Sequence, residues 1–264
     1  MPTLITNDNI KTLVKNFIVN KNKLPDDLKN ISIGEWDVSH VTNMSQLFYC
    51  TDKKNRKKYE KFNEPLNGWN VSNVKDMSDM FRHCSEFNQP LNDWDVSNVS
   101  EGRCMEGMFE YCKKFDQSLD KWNVSKVTNM CNMFMTCRDF NQNLSTWDVS
   151  NVINMATMFW CCDNFNQDLS SWDVSSVKTM EMMFCDCESL TINPGWVINR
   201  GTNTNSMFDN TPLKNVKLVR SSYNLKTANK NSKNLVDYYN EKLEQRRGKK
   251  NTNQYIGITR RINR

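Results

Sequence analysis

The chain has 264 residues, 38% of them hydrophobic, with eight glycines, six prolines and a formal net charge of +5. That length suits one large domain or two small ones, and so few glycines leave no Gly-rich phosphate loop. No stretch approaches eighteen apolar residues, so no membrane span is expected. The polar-interrupted start MPTLITNDNIKTLVKNFIVN lacks the continuous apolar run of a secretory signal, and a cytoplasmic, reducing setting is expected.

Charge divides the chain. Residues 1–211 hold twenty-one basic and twenty-seven acidic residues, net −6, and residues 212–264 hold fourteen and three, net +11. An acidic body with a basic tail is expected. In chain order, Ile10, Leu13, Val14, Phe17 and Ile18 lie on one face of a predicted amphipathic helix that starts at TND. This helix and its linker, residues 1–35, are expected to cap the N-terminal end of a repeat array.

From residue 36 to 211 the chain repeats. Aligned on tryptophan, the copies begin at Trp36, Trp69, Trp94, Trp122, Trp147, Trp172 and Trp196, in steps of 33, 25, 28, 25, 25 and 24 residues. The first step holds the extra loop TDKKNRKKYEK, and the third holds three extra residues in NVSEGRCMEGMF. The seventh copy, WVINRGTNTNSMF, is degenerate. Within a unit, WDV alternates and predicts a very short strand. Asn43, Asp76, Asn129 and Asn154 then suit a helix N-cap. Met130, Met133, Phe134 and Cys137 come next at i, i+3, i+4 and i+7, one face of a short helix. The same face recurs as Met155, Met158, Phe159 and Cys162, and as Met180, Met183, Phe184 and Cys187. Phe140 and Leu144 point inward, and Asn63, Asn88, Asn141 and Asn166 suit a left-handed turn. Leu91, Trp94, Val96, Val99 and Met105 follow the apolar order of a leucine-rich repeat. The expected fold is therefore α/β: a leucine-rich-repeat-like right-handed solenoid of about seven strand–turn–helix coils with a parallel sheet. Residues 212–264 are expected to form a basic C-terminal cover, a helix with Leu235, Tyr239 and Leu243 on one face, and a disordered tail.

Candidate binding residues are few. Asp37, Asn70, Asp95, Asn123, Asp148 and Asp173 follow the tryptophans of the first six copies and are expected to line the exposed sheet face, where they could select a cationic protein partner. Lys53, Lys54, Arg56, Lys57 and Lys58, with Arg246, Arg247, Lys249 and Lys250, are candidate contacts to nucleic acid, an acidic membrane or an import receptor. Cys84, Cys112, Cys137, Cys162 and Cys187 share one buried position and read as core. Cys161, Cys162, Cys185 and Cys187 bring four sulfurs into adjacent units, but without the paired spacing of a zinc site. Only His40 and His83 are present, at different phases, so no catalytic constellation, cofactor or metal is expected.

The motif WDVSNVxNMxxMFxxCxxFNQxLxxWDVS resembles the BspA-like leucine-rich repeat, a unit of roughly 26 residues found in Mycoplasma and Listeria surface lipoproteins. Related arrays occur in protists, algae and large DNA viruses. The resemblance covers Ile31 to Phe208. It implies a leucine-rich-repeat-like solenoid and a role in adhesion or protein recognition, and it supplies no catalytic residues. The Asn- and Lys-rich usage fits an AT-rich genome such as that of a large virus. The leading expectation is a non-enzymatic scaffold that binds a protein through its sheet face. The alternatives are a virion- or nucleic-acid-associated structural protein using the basic tail, and a surface adhesin. Oligomeric state is left open.

Overall fold

The computed structural model describes residues 2–221. The chain divides into a compact unit, Met1–Ser221, and a second unit, Ser222–Arg264. The helix expected around Leu235, Tyr239 and Leu243, and the tail bases Arg246, Arg247, Lys249 and Lys250, lie outside the described residues.

Helix α1, Ile10–Val19, forms as its periodicity requires. Ile10, Leu13, Val14 and Phe17 are buried on one face. It ends where Asn20 turns extended. The Lys58 ammonium then reaches the exposed Val19 carbonyl at 2.9 Å, a favourable charge for a helix C-terminus. Two shorter helices come after it: α2, Asp26–Lys29, and α3, Arg56–Glu60, which carries buried Tyr59 inside the extra loop. A single-turn 3-10 helix at Ile33–Glu35 leads into the first repeat and is fixed by a capping box between Ser32 and Glu35.

The seven strand–turn–helix coils do not form. Among the described residues the only strands are β1, Val197–Asn199, and β2, Val219–Ser221, paired in parallel in one two-stranded sheet. No helix lies between Trp69 and Ser221. Elsewhere parallel pairing is limited to single bridges, such as Asn129 with Asn154 and Asn154 with Thr179. The expected leucine-rich-repeat-like solenoid is thus corrected: the segment from Met130 to Cys137 is a run of tight turns.

The reason lies in where the backbone bonds go. In a helix every amide would bond four residues back. Here Met133, Met135 and Cys137 bond three residues back, to Met130, Asn132 and Phe134. The amides of Met130, Asn132, Phe134 and Thr136 instead reach the next repeat, donating to the carbonyls of Asn154, Ala156, Met158 and Trp160 at 2.7–3.0 Å. Alternating these two bonds requires a left-handed residue in each turn. Asn132 and Thr136 have φ of 59° and 63°, and Thr157 and Cys161, one repeat on, have 55° and 57°. A positive φ at the third residue is the mark of a type II turn. The left-handed region is costly for residues other than glycine, and the bonds to the next repeat offset that cost.

The expected inward face survives this change. Leu144, Trp147, Val149, Val152, Met155, Met158, Phe159, Cys162 and Phe165 are all buried. The spacing i, i+3, i+4, i+7 serves a run of three-residue turns as well as a helix. Each kind of side chain then stacks on its copy. Phe109, Phe134, Phe159, Phe184 and Phe208 succeed one another at 5.5–5.6 Å between ring centroids. Trp122, Trp147 and Trp172 do so at 6.4–6.5 Å, with ring planes nearly parallel. Burying each such side chain contributes about 1.5–3 kcal/mol.

Polar ladders run beside the apolar ones. Each repeat-opening indole from Trp69 to Trp196 donates to the carbonyl three residues before the tryptophan of the preceding repeat, at 2.6–3.0 Å; for Trp147 the acceptor is Leu119. The buried thiols of Cys112, Cys137, Cys162 and Cys187 donate to the carbonyls of Phe81, Phe109, Phe134 and Phe159 at 2.9–3.0 Å. Asn63, Asn88, Asn141 and Asn166 are not left-handed, contrary to expectation. Their side-chain oxygens accept the amides of Asn88, Asp116, Asn166 and Thr191 of the next repeat. At the first repeat Asn7 stands in for a missing neighbour, its Oδ1 accepting the amides of Thr42 and Asn43.

Candidate functional site

Asp37, Asn70, Asp95, Asn123, Asp148 and Asp173 are all exposed. Each accepts, through Oδ1, the amide of the serine two residues on, at 2.9–3.2 Å. These are Asx turns. They do not line a seven-stranded sheet, because no ladder crosses the Trp-Asp-Val segments. Asn70 and Asn123 make the same bond as the aspartates, so the turn needs an oxygen and not a charge. Hydrogen bonds from Ser39 and Ser97 hold the Asp37 and Asp95 carboxyls below the usual carboxylate range.

Within the basic loop, Lys53, Lys54 and Lys57 are exposed. Arg56 pairs with Glu60 at 2.9 Å, and Lys58 caps α1, so two of the five basic candidates have internal partners. Lys57 also lines a shallow open depression with Glu60, Lys61, Asn63, Ser85 and Glu86. Its two lysines and two glutamates balance, which gives it no preference for an anion.

Sequence reasoning missed an ionic cluster on the turns of the second and third repeats. Asp79 and Glu110 are only 2% and 3% exposed. Arg82 pairs with Asp79 at 3.4 Å and with Glu110 at 2.9 Å. Arg103 pairs with Asp79 and, at 3.0 Å, with Glu106. Room for these carboxylates comes from Gly107, left-handed at φ 60°, where a Cβ would fall 2.5 Å from Asp79 Oδ1. Burial pushes the Glu110 carboxyl above its ordinary range, against the pull of Arg82. Its Oε2, like Arg82 Nε, is buried without a hydrogen-bond partner among the described residues. The signal was present in EGRCMEG, where two glycines and three charged residues interrupt an otherwise uniform unit.

The remaining reactive residues are dispersed. His83 is partly buried and stacks between Tyr49 and Tyr111, at 5.8 and 4.6 Å; burial, then Arg56 and Arg82, lower its pKa. Cys162 and Cys187 face the core, while the thiols of Cys161 and Cys185 both lie near Asp186 Oδ2, at 3.9 and 3.3 Å. Among the described residues no group of three or more His, Cys, Asp or Glu is placed to hold a metal ion, and no helix is long and apolar enough to cross a membrane.

One position beside the stacked Phe column varies completely along the array, at least partly exposed in five repeats and buried at Glu110 and Cys185. The residue after each stacked Phe is Tyr49, Arg82, Glu110, Met135, Trp160, Cys185 and Asp209 in turn. In the fifth repeat the Trp160 ring is partly exposed and its Nε1 donates to Asp186 Oδ2 at 2.8 Å.

No curated protein and no solved structure matches the chain. A family described as Mycoplasma protein of unknown function, DUF285, matches residues 25–105 and 103–223. Together these segments take in every repeat and leave out α1 and most of the basic tail. The chain therefore belongs to the DUF285 family of Mycoplasma-type repeat proteins.

Proposed function

We propose that the chain is a non-enzymatic recognition scaffold that binds a protein partner through its exposed surface. One observation carries this reading: the buried positions barely change from repeat to repeat, whereas the position after the stacked Phe carries seven different residues in seven repeats, five of them at least partly exposed. A constant core beneath a varied surface is what a repeat array needs in order to bind one particular partner. The likeness of the motif to BspA-like repeats favours the same reading. The exposed aspartates at Asp37, Asp95, Asp148 and Asp173 add charge that their turns do not require. Ten free thiols, most of them buried, go with a reducing, cytoplasmic setting. Crosslinking mass spectrometry in the native cell tests the proposal: it predicts reproducible crosslinks from exposed lysines of the array to one protein. Crosslinks only within the chain would reject it.

A second reading rests on charge. The net +11 of residues 212–264 suits nucleic acid, whose binding weakens steeply with salt. Salt-dependent retention on DNA that disappears on removing residues 222–264 would support it, and retention unchanged by that truncation would reject it.

A further inference from the structure

We propose that the partly exposed surface formed by Met135, Trp160 and Met182, on the turns of the fourth to sixth repeats, docks a protein segment that combines apolar side chains with lysine or arginine. This rests on the recognition reading above and gives it a place and a partner chemistry. The repeats themselves supply the control. Met135 and Trp160 occupy the position that holds Arg82, Glu110 and Asp209 in other repeats, so the turn has no need of an apolar residue there. Met182 sits at the left-handed position two residues before the stacked Phe, filled elsewhere by Gln46, Asp79, Gly107, Asn132, Thr157 and Ser206. It is the only apolar side chain in that series, held at φ 51°. All three are partly exposed. The ladder bonds from Thr136 to Trp160 and from Thr157 to Glu181 set these turns side by side. Trp and Met are enriched at the centres of protein interfaces.

Charge decides the partner. At the second and third repeats the carboxylates Asp79, Glu106 and Glu110 share Arg82 and Arg103. At the sixth and seventh, Glu181, Asp186 and Asp209 have no cationic partner among the described residues. Glu181 accepts only the Asn203 amide group at 3.0 Å, and Asp186 accepts Trp160 and the Asn210 amide group, at 2.8 and 2.7 Å. Those bonds hold the Asp186 carboxyl ionised well below neutral pH. An apolar surface thus borders three uncompensated negative charges. An apolar segment carrying positive charge is complementary to both, and an acidic or purely polar one is not.

The test uses the full chain and three fluorescein-labelled synthetic peptides in about 0.15 M salt, where the Debye length of about 8 Å suppresses non-specific attraction. One peptide alternates Lys with Leu and Trp, one replaces the apolar residues by Ser, and one replaces Lys by Glu. Fluorescence anisotropy should show binding of the first alone. Met135→Glu with Trp160→Arg introduces residue types that the same position already carries in the third and second repeats, so the fold is kept. This pair should weaken binding roughly tenfold or more, the size expected of interface anchors. Glu181→Gln with Asp209→Asn, which leaves the apolar surface intact, should weaken it several-fold. Changing Asp95, Asp148 and Asp173 to Asn should leave it within about twofold, as remote surface charges do. No binding of the Lys–Leu–Trp peptide, equal binding of the Ser peptide, or undiminished binding by the Met135/Trp160 variant would each overturn the inference. Crosslinks to a native partner that fall on the Asp95 row and spare Met135 to Met182 would overturn the site while leaving the recognition reading intact.

Discussion

The first repeat and the fifth bury the same tryptophan to the same degree, Trp36 at 2% exposure and Trp147 at 3%. The elements before them differ. Trp147 comes after another repeat, and its Nε1 donates to the Leu119 carbonyl at 2.9 Å. Trp36 comes after α1, and its Nε1 is buried with no hydrogen-bond partner among the described residues. The cap supplies the apolar cover, with Phe17 edge-on to the indole at 5.7 Å, and Asn7 supplies the missing backbone acceptor. Nothing in it replaces the leucine carbonyl. A repeat therefore owes part of its stability to its neighbour, and the terminal repeat carries the cost of lacking one.

The largest effect expected from this comparison is the loss of an interior ring. Trp147→Ala should cost about 3–5 kcal/mol, read by chemical denaturation. A loss below about 1 kcal/mol would mean that the stacked column does not hold the array together. Replacing each indole by phenyl sharpens the contrast. Trp147→Phe and Trp36→Phe remove similar volumes, but the first removes a hydrogen bond, leaving the Leu119 carbonyl to the Trp122 amide alone, whereas the second removes a buried N–H with no partner among the described residues. The interior variant should lose about 1–3 kcal/mol more than the terminal one. Equal losses would show that the Trp36 N–H has a partner in solution.

A smaller effect depends on pH. Glu110 holds its proton more tightly folded than unfolded, because burial raises its pKa. Its contribution is full below its ordinary pKa and is lost as pH rises through the raised value. Glu110→Gln should therefore gain on the wild-type chain as pH climbs from mildly acidic to neutral. Melting curves at matched ionic strength check this, and a gap that is constant with pH would contradict it. Asp186 works in the opposite sense. Its pKa is lowered by the bonds from Trp160 and Asn210, so its contribution is present above the ordinary value and is lost as pH falls through the lowered one. The smallest effect is on the Asx row. Asp148→Asn should change stability by less than about 0.5 kcal/mol, since Asn70 and Asn123 make the same turn. Asp148→Ala should cost about 0.5–1.5 kcal/mol for the lost bond to Ser150.

The repeat and its buried positions were legible in the sequence because burial depends on spacing. Every one of Met130, Met133, Phe134 and Cys137 is buried as expected. Whether that spacing makes a helix or a run of turns was not legible. The outcome depends on bonds between residues about 25 positions apart, such as Phe134 to Met158, which no local pattern encodes. Even Asn129 and Asn154 read ambiguously. Each accepts an amide, as an N-cap would, but from the residue two ahead, Cys131 or Ala156, with no helix beyond it. On the functional side, the Asx row was found and its role in the turns was not anticipated. Met135, Trp160 and Met182 fall off the repeated apolar pattern, so the pattern drew no attention to them.

The claim that each repeat is a run of turns bonded to the next is tested most directly by heteronuclear NMR of the labelled chain. Three-bond couplings and backbone shifts at Asn132, Thr136, Thr157 and Cys161 should report positive φ. Scalar couplings across hydrogen bonds should join the Phe134 amide to the Met158 carbonyl and the Phe159 amide to the Met183 carbonyl. Negative φ at all four residues, with Phe134 coupled instead to Met130 four residues back, would mean that the segment is a helix and would contradict the account.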